Sequence, residues 1–581
     1  MNAHLAELLV LAAIAAAIAG SLQSRRRLPR HRVLHMRLRL RLRLRPGPGH
    51  ATGLELLLRW GRWASYRESG RTRPSLTRWE RIRRPQEHSL YLGRAHHRRT
   101  IRVSVQEHGA IIGPPRSYKS ALLSRLIMAA PGAVVSTSSK PDMFTLTSGL
   151  RARRGPVHVF NPQGIGSVPS TVRWSPLEGC LDPATAIRRA DNFAQAVSTA
   201  GTEDGAFWAG KASDAMRAMF AAAAYVASDM RLVNHWATGR RVSDAVGILA
   251  QAGQRDWAGQ LAELTGPAEK TAATVKMVVS RALGWLNDPQ LAQAVLPGQA
   301  QGFDVDEFLL SGGTLYMIAK GDGEDCSLAP LFAALACEIE YRATQLGARM
   351  PGQRLDPPLL MALDEVTRIC PVPLPQWLAD AGGQGVQIWS AFHGFSQLEA
   401  RWKTAGAQAV MDTSNVKVLM PGIADAKTLA RASKLAGQAA FREHGEDRHS
   451  RHDVLTEDMI RMLPLGWALL LRGNHRPVIT RLAKGWRDHE YRRAKRAGTA
   501  VARMVPVPPA HAPLRVLHDD LPDIATDLGG MAGEASAAEA PEPVARLRAV
   551  PATGDDRETA EVTAPAGPER RSYPWDGGDA A

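Results

Sequence analysis

The sequence predicts an α/β protein: a mostly parallel sheet covered by helices on both faces, with an all-α stretch inserted between two of its strands. Three observations predict it. From about residue 88, short apolar runs alternate with helical patterns, as in strands joined by crossover helices. Two of those runs end in residues suited to chemistry, Gly113–Ser120 and Asp364-Glu365. Between about residues 183 and 299 the strand-like runs vanish and several helical patterns follow one another.

At 581 residues the chain is too long for one core. Its first element is the nearly uncharged run Leu5–Leu22, about long enough to cross a bilayer. Arg25, Arg26, Arg27, Arg30 and Arg32 follow that run, and no Lys or Arg precedes it. This order predicts a signal anchor over residues 1–23, not a cleaved signal peptide, with the bulk of the chain on the cytoplasmic side. Residues 1–110 hold 23 Arg, no Lys and 6 Glu, a net of +17, which equals the formal charge of the whole chain. Residues 497–581 carry 7 Arg against 14 acids. The basic excess is therefore local, which excludes a general nucleic-acid-coating surface.

Residues 24–87 read as a basic juxtamembrane linker with short helical pieces. The alternating run Arg37–Arg45 would place Arg on one face and Leu on the other. That suits an anionic membrane surface, a nucleic-acid-binding arm or a tolerated low-complexity run, and the residues do not decide among them. The pairs Arg59-Trp60, Arg62-Trp63 and Arg78-Trp79 fit an amphipathic helix near lipid headgroups or stacking on bases.

Strands are expected at 101–105, 110–112, 133–136, 157–160, 314–318, 359–363, 386–391, 416–420, 467–471 and 478–479. Helices of the insert are expected at 184–199, 206–228, 242–253, 257–264 and 267–286. The resulting plan is a nucleotide-binding domain split into 88–182 and 300–490, the all-α insert 183–299, and a disordered acidic Ala/Pro-rich tail over 491–581.

Gly113-Pro-Pro-Arg-Ser-Tyr-Lys-Ser120 follows an apolar run and opens an amphipathic segment, the context in which a phosphate-binding P-loop works. Gly113, Pro114, Pro115, Arg116, Ser117, Tyr118, Lys119 and Ser120 would cradle a triphosphate, with Lys119 on the β/γ-phosphates and Ser120 on Mg²⁺. One position departs from the pattern G-x-x-x-x-G-K-[ST]: Tyr118 stands where Gly is expected. Its ring either crowds the phosphate path or swings out of it. Pro357–Leu363 is an apolar run delivering Asp364 and Glu365 at its end, as a second acidic strand beside a P-loop does. Asp364 would act on Mg²⁺, directly or through water, and Glu365 would polarise the attacking water. The competing reading of these two acids is a helix N-cap pair. Cys180, Cys326, Cys337 and Cys370 show no metal-ligand spacing and read as reduced thiols.

The order of these motifs resembles the conjugative coupling proteins of type IV secretion systems, the TraG/TraD-like group of FtsK/HerA-type P-loop ATPases. Besides Gly113–Ser120, the resemblance rests on Ser138-Ser-Lys140-Pro-Asp142, Phe160-Asn-Pro-Gln-Gly164 and Ala206-Phe207-Trp208. It continues through Leu363–Pro371, Leu374-Pro375, Gly382-Gly-Gln-Gly385 and Ser396-Gln397-Leu398-Glu399. The resemblance implies a RecA-like fold, bound ATP and Mg²⁺, and a membrane motor assembled as a homo-hexamer. It further implies a single strand of DNA with its relaxase as cargo, type IV secretion channel proteins as partners, and the inner membrane as location. His393 lies where the family usually places a Gln that senses the γ-phosphate; capping a strand end is its competing role. No Arg occurs in Gly382–Gly385, which leaves Arg368 or Arg401 to act on a neighbouring site. Only one membrane span is legible where the family commonly has two. Two other functions fit the same residues: a P-loop receptor that recruits partners without hydrolysis, and an FtsK-like pump for duplex DNA.

Overall fold

The computed structural model describes residues 47–197, 204–266, 269–296, 302–320, 327–442 and 449–504. The run Leu5–Leu22, the Arg/Leu stretch, Cys326 and the chain beyond Met504 lie outside the described residues. Among the described residues, no helix is long and apolar enough to cross a membrane.

The strands are β1 (Ser89–Arg94), β2 (Thr100–Ser104), β3 (Gly109–Ile112), β4 (Val134–Ser138), β5 (Val157–Phe160), β6 (Thr314–Ile318) and β7 (Leu359–Leu363). They continue as β8 (Val386–Phe392), β9 (Val416–Leu419), β10 (Gln438–Arg442), β11 (His449–Asp453), β12 (Trp467–Arg472) and β13 (Val478–Leu482). Eleven of these described strands form one sheet in the order β2-β1-β13-β12-β9-β3-β8-β7-β4-β6-β5, and β10 pairs with β11 as a separate hairpin. From β9 to β5 every pairing is parallel. From β9 through β12, β13 and β1 to β2 every pairing is antiparallel. The fold is thus the expected α/β sheet with a parallel centre, extended by an antiparallel flank.

The parallel strands are continuous apolar runs because both faces are covered. Every residue of β3, β4, β6, β7 and β8 is buried. The two-residue alternation sends Ile111, Leu360 and Ala362 into one core, with Leu122, Leu126 and Phe144 of the helices Lys119–Ala129 and Asp142–Arg151. Ala110, Ile112, Leu359 and Met361 enter the opposite core, with Leu331 and Leu335 of the helix Ala329–Ala348. All the parallel strands end at one edge of the sheet. The loops after β3, β4, β7 and β8 therefore meet there.

Between β5 and β6 the described residues form helices and no strand, among them Pro183–Ala196, Gly205–Tyr225, Met230–Ala237, Val242–Gln251, Arg255–Thr265 and Glu269–Leu283. These helices share one hydrophobic core with a face of the sheet. Arg188 and Arg189 of the first helix both pair with Glu338 on the helix Ala329–Ala348, and Arg189 also donates to the Pro176 carbonyl at 2.7 Å.

Two segments differ from expectation. Residues 53–83, read as a linker with short helical pieces, do form short helices (Gly53–Arg59, Arg62–Thr72 and Arg78–Arg83), but these pack against the antiparallel flank as part of the folded unit. Thr52 with Glu55 and Thr77 with Glu80 start two of them as capping boxes. Trp60 is fully buried, with the Arg472 guanidinium 5.5 Å from its ring centre, so its pair with Arg59 serves packing. Arg472 is held on both Glu107 carboxylate oxygens (2.6 and 2.8 Å) and on the Arg59 carbonyl (2.8 Å). Trp63 and Trp79 remain exposed. At the other end, residues 491–496 lie inside the helix His489–Arg496, capped by Asp488. Tyr491 and Ala494 bury against Met128 and Leu150, which places residues 491–504 with the folded part and not with a tail.

Candidate functional site

β3 hands the chain to the loop through Gly113. A Cβ there would lie 2.5 Å from the Met420 Cβ and 2.8 Å from the Ser117 Oγ, so only glycine fits. Arg116 (φ 62°) and Tyr118 (φ 75°) are both left-handed. Two such residues in three positions curl the loop and turn its amides toward one side, the geometry of an anion nest. The helix Lys119–Ala129 then begins with no side-chain cap on its first amides. Those donors are left for an anion at the helix N-terminus. Ser117 supplies a further one: its hydroxyl is buried and has no partner.

Lys119 is buried. Its Nζ donates to the Gly113 carbonyl (2.7 Å) and the Pro114 carbonyl (3.0 Å), and lies 3.2 Å from the His393 Nδ1. Burial lowers its pKa, and the charges of Asp364 and Glu365 act in the opposite direction. Ser120, the next residue, donates from its Oγ to the Asp364 Oδ2 at 2.9 Å. Asp364 sits just past β7, where Thr137 of β4 donates to its backbone carbonyl at 3.1 Å. Its Oδ1 accepts from the Glu365 amide at 3.2 Å. The N-cap alternative for these two acids fails, because Glu365 precedes the short helix Val366–Ile369 without any side-chain cap. Glu365 is itself left-handed (φ 50°), and its Oε1 accepts from the Ser139 hydroxyl at 3.4 Å.

β8 lies between β3 and β7 in the sheet, and His393 follows its last residue. The Nδ1 is 3.2 Å from the Gly113 carbonyl as well as from Lys119, so the ring faces the loop; the His393 amide is bonded to Gln397 at 2.8 Å. The structure thus brings together Gly113, Lys119, Ser120, Asp364 and His393, with Glu365 adjoining. Tyr118 resolves in the outward sense. Its ring lies under the Lys484 ammonium, 3.4 Å from the ring centre, with Trp486 5.9 Å away, so it leaves the loop interior clear. Pro115 and Arg116 are exposed on the loop's outer side.

Other motif residues have structural duties. Asn161 is buried and ties its own turn through Ile165 and Val168. Gly385 (φ 85°) packs against the Leu355 backbone, where any Cβ would clash. Arg401 is half-buried, donating to the Gln195 (2.6 Å) and Val197 (3.2 Å) carbonyls, which removes it as an arginine for a neighbouring site. Arg368 is exposed. Ser139 was not singled out individually by sequence reasoning, although it lies within the Ser138–Asp142 motif; its contact with Glu365 depends on β4 and β7 being neighbours.

Burial raises the Asp364 pKa above its ordinary 3.8; the Ser120 bond and Lys119 pull it down, and Glu365 adds to the rise. A carboxyl raised in the fold favours the folded state below the unfolded pKa, and that contribution is lost as pH rises through the folded value. At neutral pH the ionised group is therefore a cost to stability. Asp364→Asn, which keeps an acceptor for Ser120, is expected to raise Tm at pH 7, with the gain vanishing below the unfolded value. It is expected to weaken Mg²⁺-dependent nucleotide binding by about 10–100-fold. Calorimetry across pH and a Mg²⁺ titration measure both effects; a Tm that falls at pH 7 contradicts the first.

A parallel sheet with a left-handed loop, a lysine and a serine–aspartate bond at its carboxyl edge defines a P-loop-type fold. Residues 358–464 match the family model described as the TraM recognition site of TraD and TraG. The bacterial conjugative coupling protein TrwB, lacking its first 70 residues, shares the fold: 19% identity over 65% of this chain and 85% of that one, TM-score 0.50. TrwB in complex with ADP and Mg²⁺ gives 20% identity over the same shares, TM-score 0.50. TrwB with a non-hydrolysable ATP analogue gives 19% over 65% and 86%, TM-score 0.50. No curated protein sequence matches significantly. The resemblance to the conjugative coupling proteins of type IV secretion systems is thereby borne out. The matched region holds the Leu363–Pro371 and Ser396–Glu399 motifs that carried it.

Proposed function

We propose that this protein is a membrane-anchored ATPase that recruits a relaxase-bound single strand of DNA to a type IV secretion channel and helps drive its transfer. The observation that carries the reading is the 2.9 Å bond from Ser120 to Asp364 beside the loop-held Lys119. Two segments far apart in sequence meet there in the arrangement that metal-assisted phosphoryl transfer needs. ADP with Mg²⁺ and an ATP analogue, the ligands named for TrwB, are the classes this reading assigns to the site.

The residues fit such a ligand. Uncapped helix amides, the curled loop and the orphan Ser117 hydroxyl supply donors for phosphate oxygens. Lys119 supplies a positive charge for the β/γ-phosphates. Ser120 and Asp364 would hold Mg²⁺, which when bound supplies neutralisation of phosphate charge; so few protein oxygens suit an ion that keeps waters and phosphates as its other ligands. Glu365 would orient and deprotonate water. His393, facing both Gly113 and Lys119, would report on the γ-phosphate position in place of the family's Gln. Leu5–Leu22 would anchor the chain at the inner membrane, and a homo-hexamer would set the loop's open side against a neighbouring chain.

Hydrolysis by the full chain, measured with and without DNA, tests the reading. ATPase activity is expected to rise severalfold with single strands and to lose that stimulation at high salt, as phosphate-tracking contacts do. No nucleotide binding at millimolar ATP would remove the motor. Equal stimulation by duplex would transfer the reading to a double-strand pump.

A further inference from the structure

We propose that the base of the bound nucleotide stacks on Trp486 beside the Lys484 ammonium, which Tyr118 holds, so that Trp486 is specificity-determining. The inference rests on the nucleotide-binding reading above and extends it from the triphosphate to the base.

Tyr118 occupies a left-handed position that disfavours any Cβ by about 1–2 kcal/mol. Its ring contributes nothing to the loop interior. It reaches instead the segment after β13, where the Lys484 ammonium lies 3.4 Å from its centre and 5.7 Å from the Trp486 ring centre. The two rings are 5.9 Å apart and tilted by 44°. One ammonium thus sits against two aromatic rings, and both keep free surface: Tyr118 is half-buried and Trp486 is 37% exposed.

This segment is fixed relative to the phosphate site. Gly485 packs against the helix Lys119–Ala129 so closely that a Cβ would lie 2.3 Å from the Ser124 Oγ. Arg125 of that helix pairs with Asp488 at 3.4 Å. Tyr118 immediately precedes Lys119, so the rings stand directly beside the residues proposed for the phosphates. A partly open indole with a cation beside it suits a flat heteroaromatic with acceptor nitrogens. A purine can stack on Trp486 while its ring nitrogens accept from Lys484, which Tyr118 holds in place.

The test compares MgATP with magnesium tripolyphosphate, which carries the phosphates without base or sugar, on the full chain by calorimetric titration. Trp486→Ala is expected to weaken ATP about tenfold and to leave tripolyphosphate within about twofold. Trp486→Leu, which keeps apolar bulk for the loop, is expected to act in the same direction. Lys119→Ala weakens both ligands. If the Trp486 variants weaken both ligands equally, or neither, the residues are only a latch for the loop and the proposal is overturned, while the phosphate site stands. If the unsubstituted chain binds neither ligand, the nucleotide reading falls, and the base site falls with it.

Discussion

Glu365→Gln is expected to lower ATP hydrolysis by about 10²–10⁴-fold while leaving ATP affinity within a few-fold, the signature of losing a general base. The geometry favours so clean a separation. Glu365 is half-buried, with its Oε1 3.4 Å from the Ser139 hydroxyl, and it makes no bond to the loop that holds Lys119. The amide keeps the shape of the carboxylate and an oxygen for Ser139, so the left-handed turn at φ 50° has no reason to move. Neither Ser120 nor Asp364 loses a partner, since Asp364 takes only the backbone amide of residue 365. Binding by equilibrium titration and product formation by phosphate release, on one preparation, separate the two quantities. Hydrolysis within tenfold of the unsubstituted chain would assign the water to another group, with His393 the next residue to substitute.

The site was legible in sequence to the extent that its chemistry is local. Lys119, Ser120, Asp364 and Glu365 stand out because a strand end followed by these residue types has few other uses. The parallel strands were legible for a related reason: burial on both faces leaves runs such as Leu359–Leu363 without a polar residue. The flank was harder. β1 holds Gly93 and Arg94, the paired strands β10 and β11 have no apolar stripe, and neither shows a strand pattern. Residues 53–83 looked like a linker because Arg dominates their composition, and composition does not reveal that Trp60 lies in the core.

What could not be read were roles set by distant partners. Arg401 resembled a free arginine until the Gln195 and Val197 carbonyls closed on it. Arg151 drew no attention in sequence, yet it is fully buried and joins Ala130, Gly132, Gly312 and Thr314 at the strand entrances. Burial brings its pKa down to about 10, which leaves it charged at neutral pH. Tyr118 is the clearest case. Its position in the motif left crowding and swinging out both open, and only the chain's later return along the helix supplies the cation and indole that draw the ring away.

Lys119→Ala is expected to weaken ATP by more than a hundredfold, about 3 kcal/mol, the scale of removing one partner from a buried charge pair. The ammonium is already desolvated: it is buried, donates to the Gly113 and Pro114 carbonyls, and has the His393 Nδ1 3.2 Å away. That desolvation is met during folding, so a phosphate reaching it faces a charge poorly screened by water. The loop does not depend on this contact for its shape. Gly113 is fixed by its packing on Met420 and by its amide bond to the Phe392 carbonyl at 3.2 Å, and Pro114 is half-exposed, so water can replace the lost donor. Thermal stability should accordingly change little while affinity collapses. Lys119→Arg separates charge from shape: the guanidinium keeps the charge but is too broad for the pair of carbonyls that the ammonium fits, and only partial recovery is expected. Equal ATP affinity in the unsubstituted chain and Lys119→Ala, with both folded by circular dichroism, would mean that the curled loop does not hold phosphate at all.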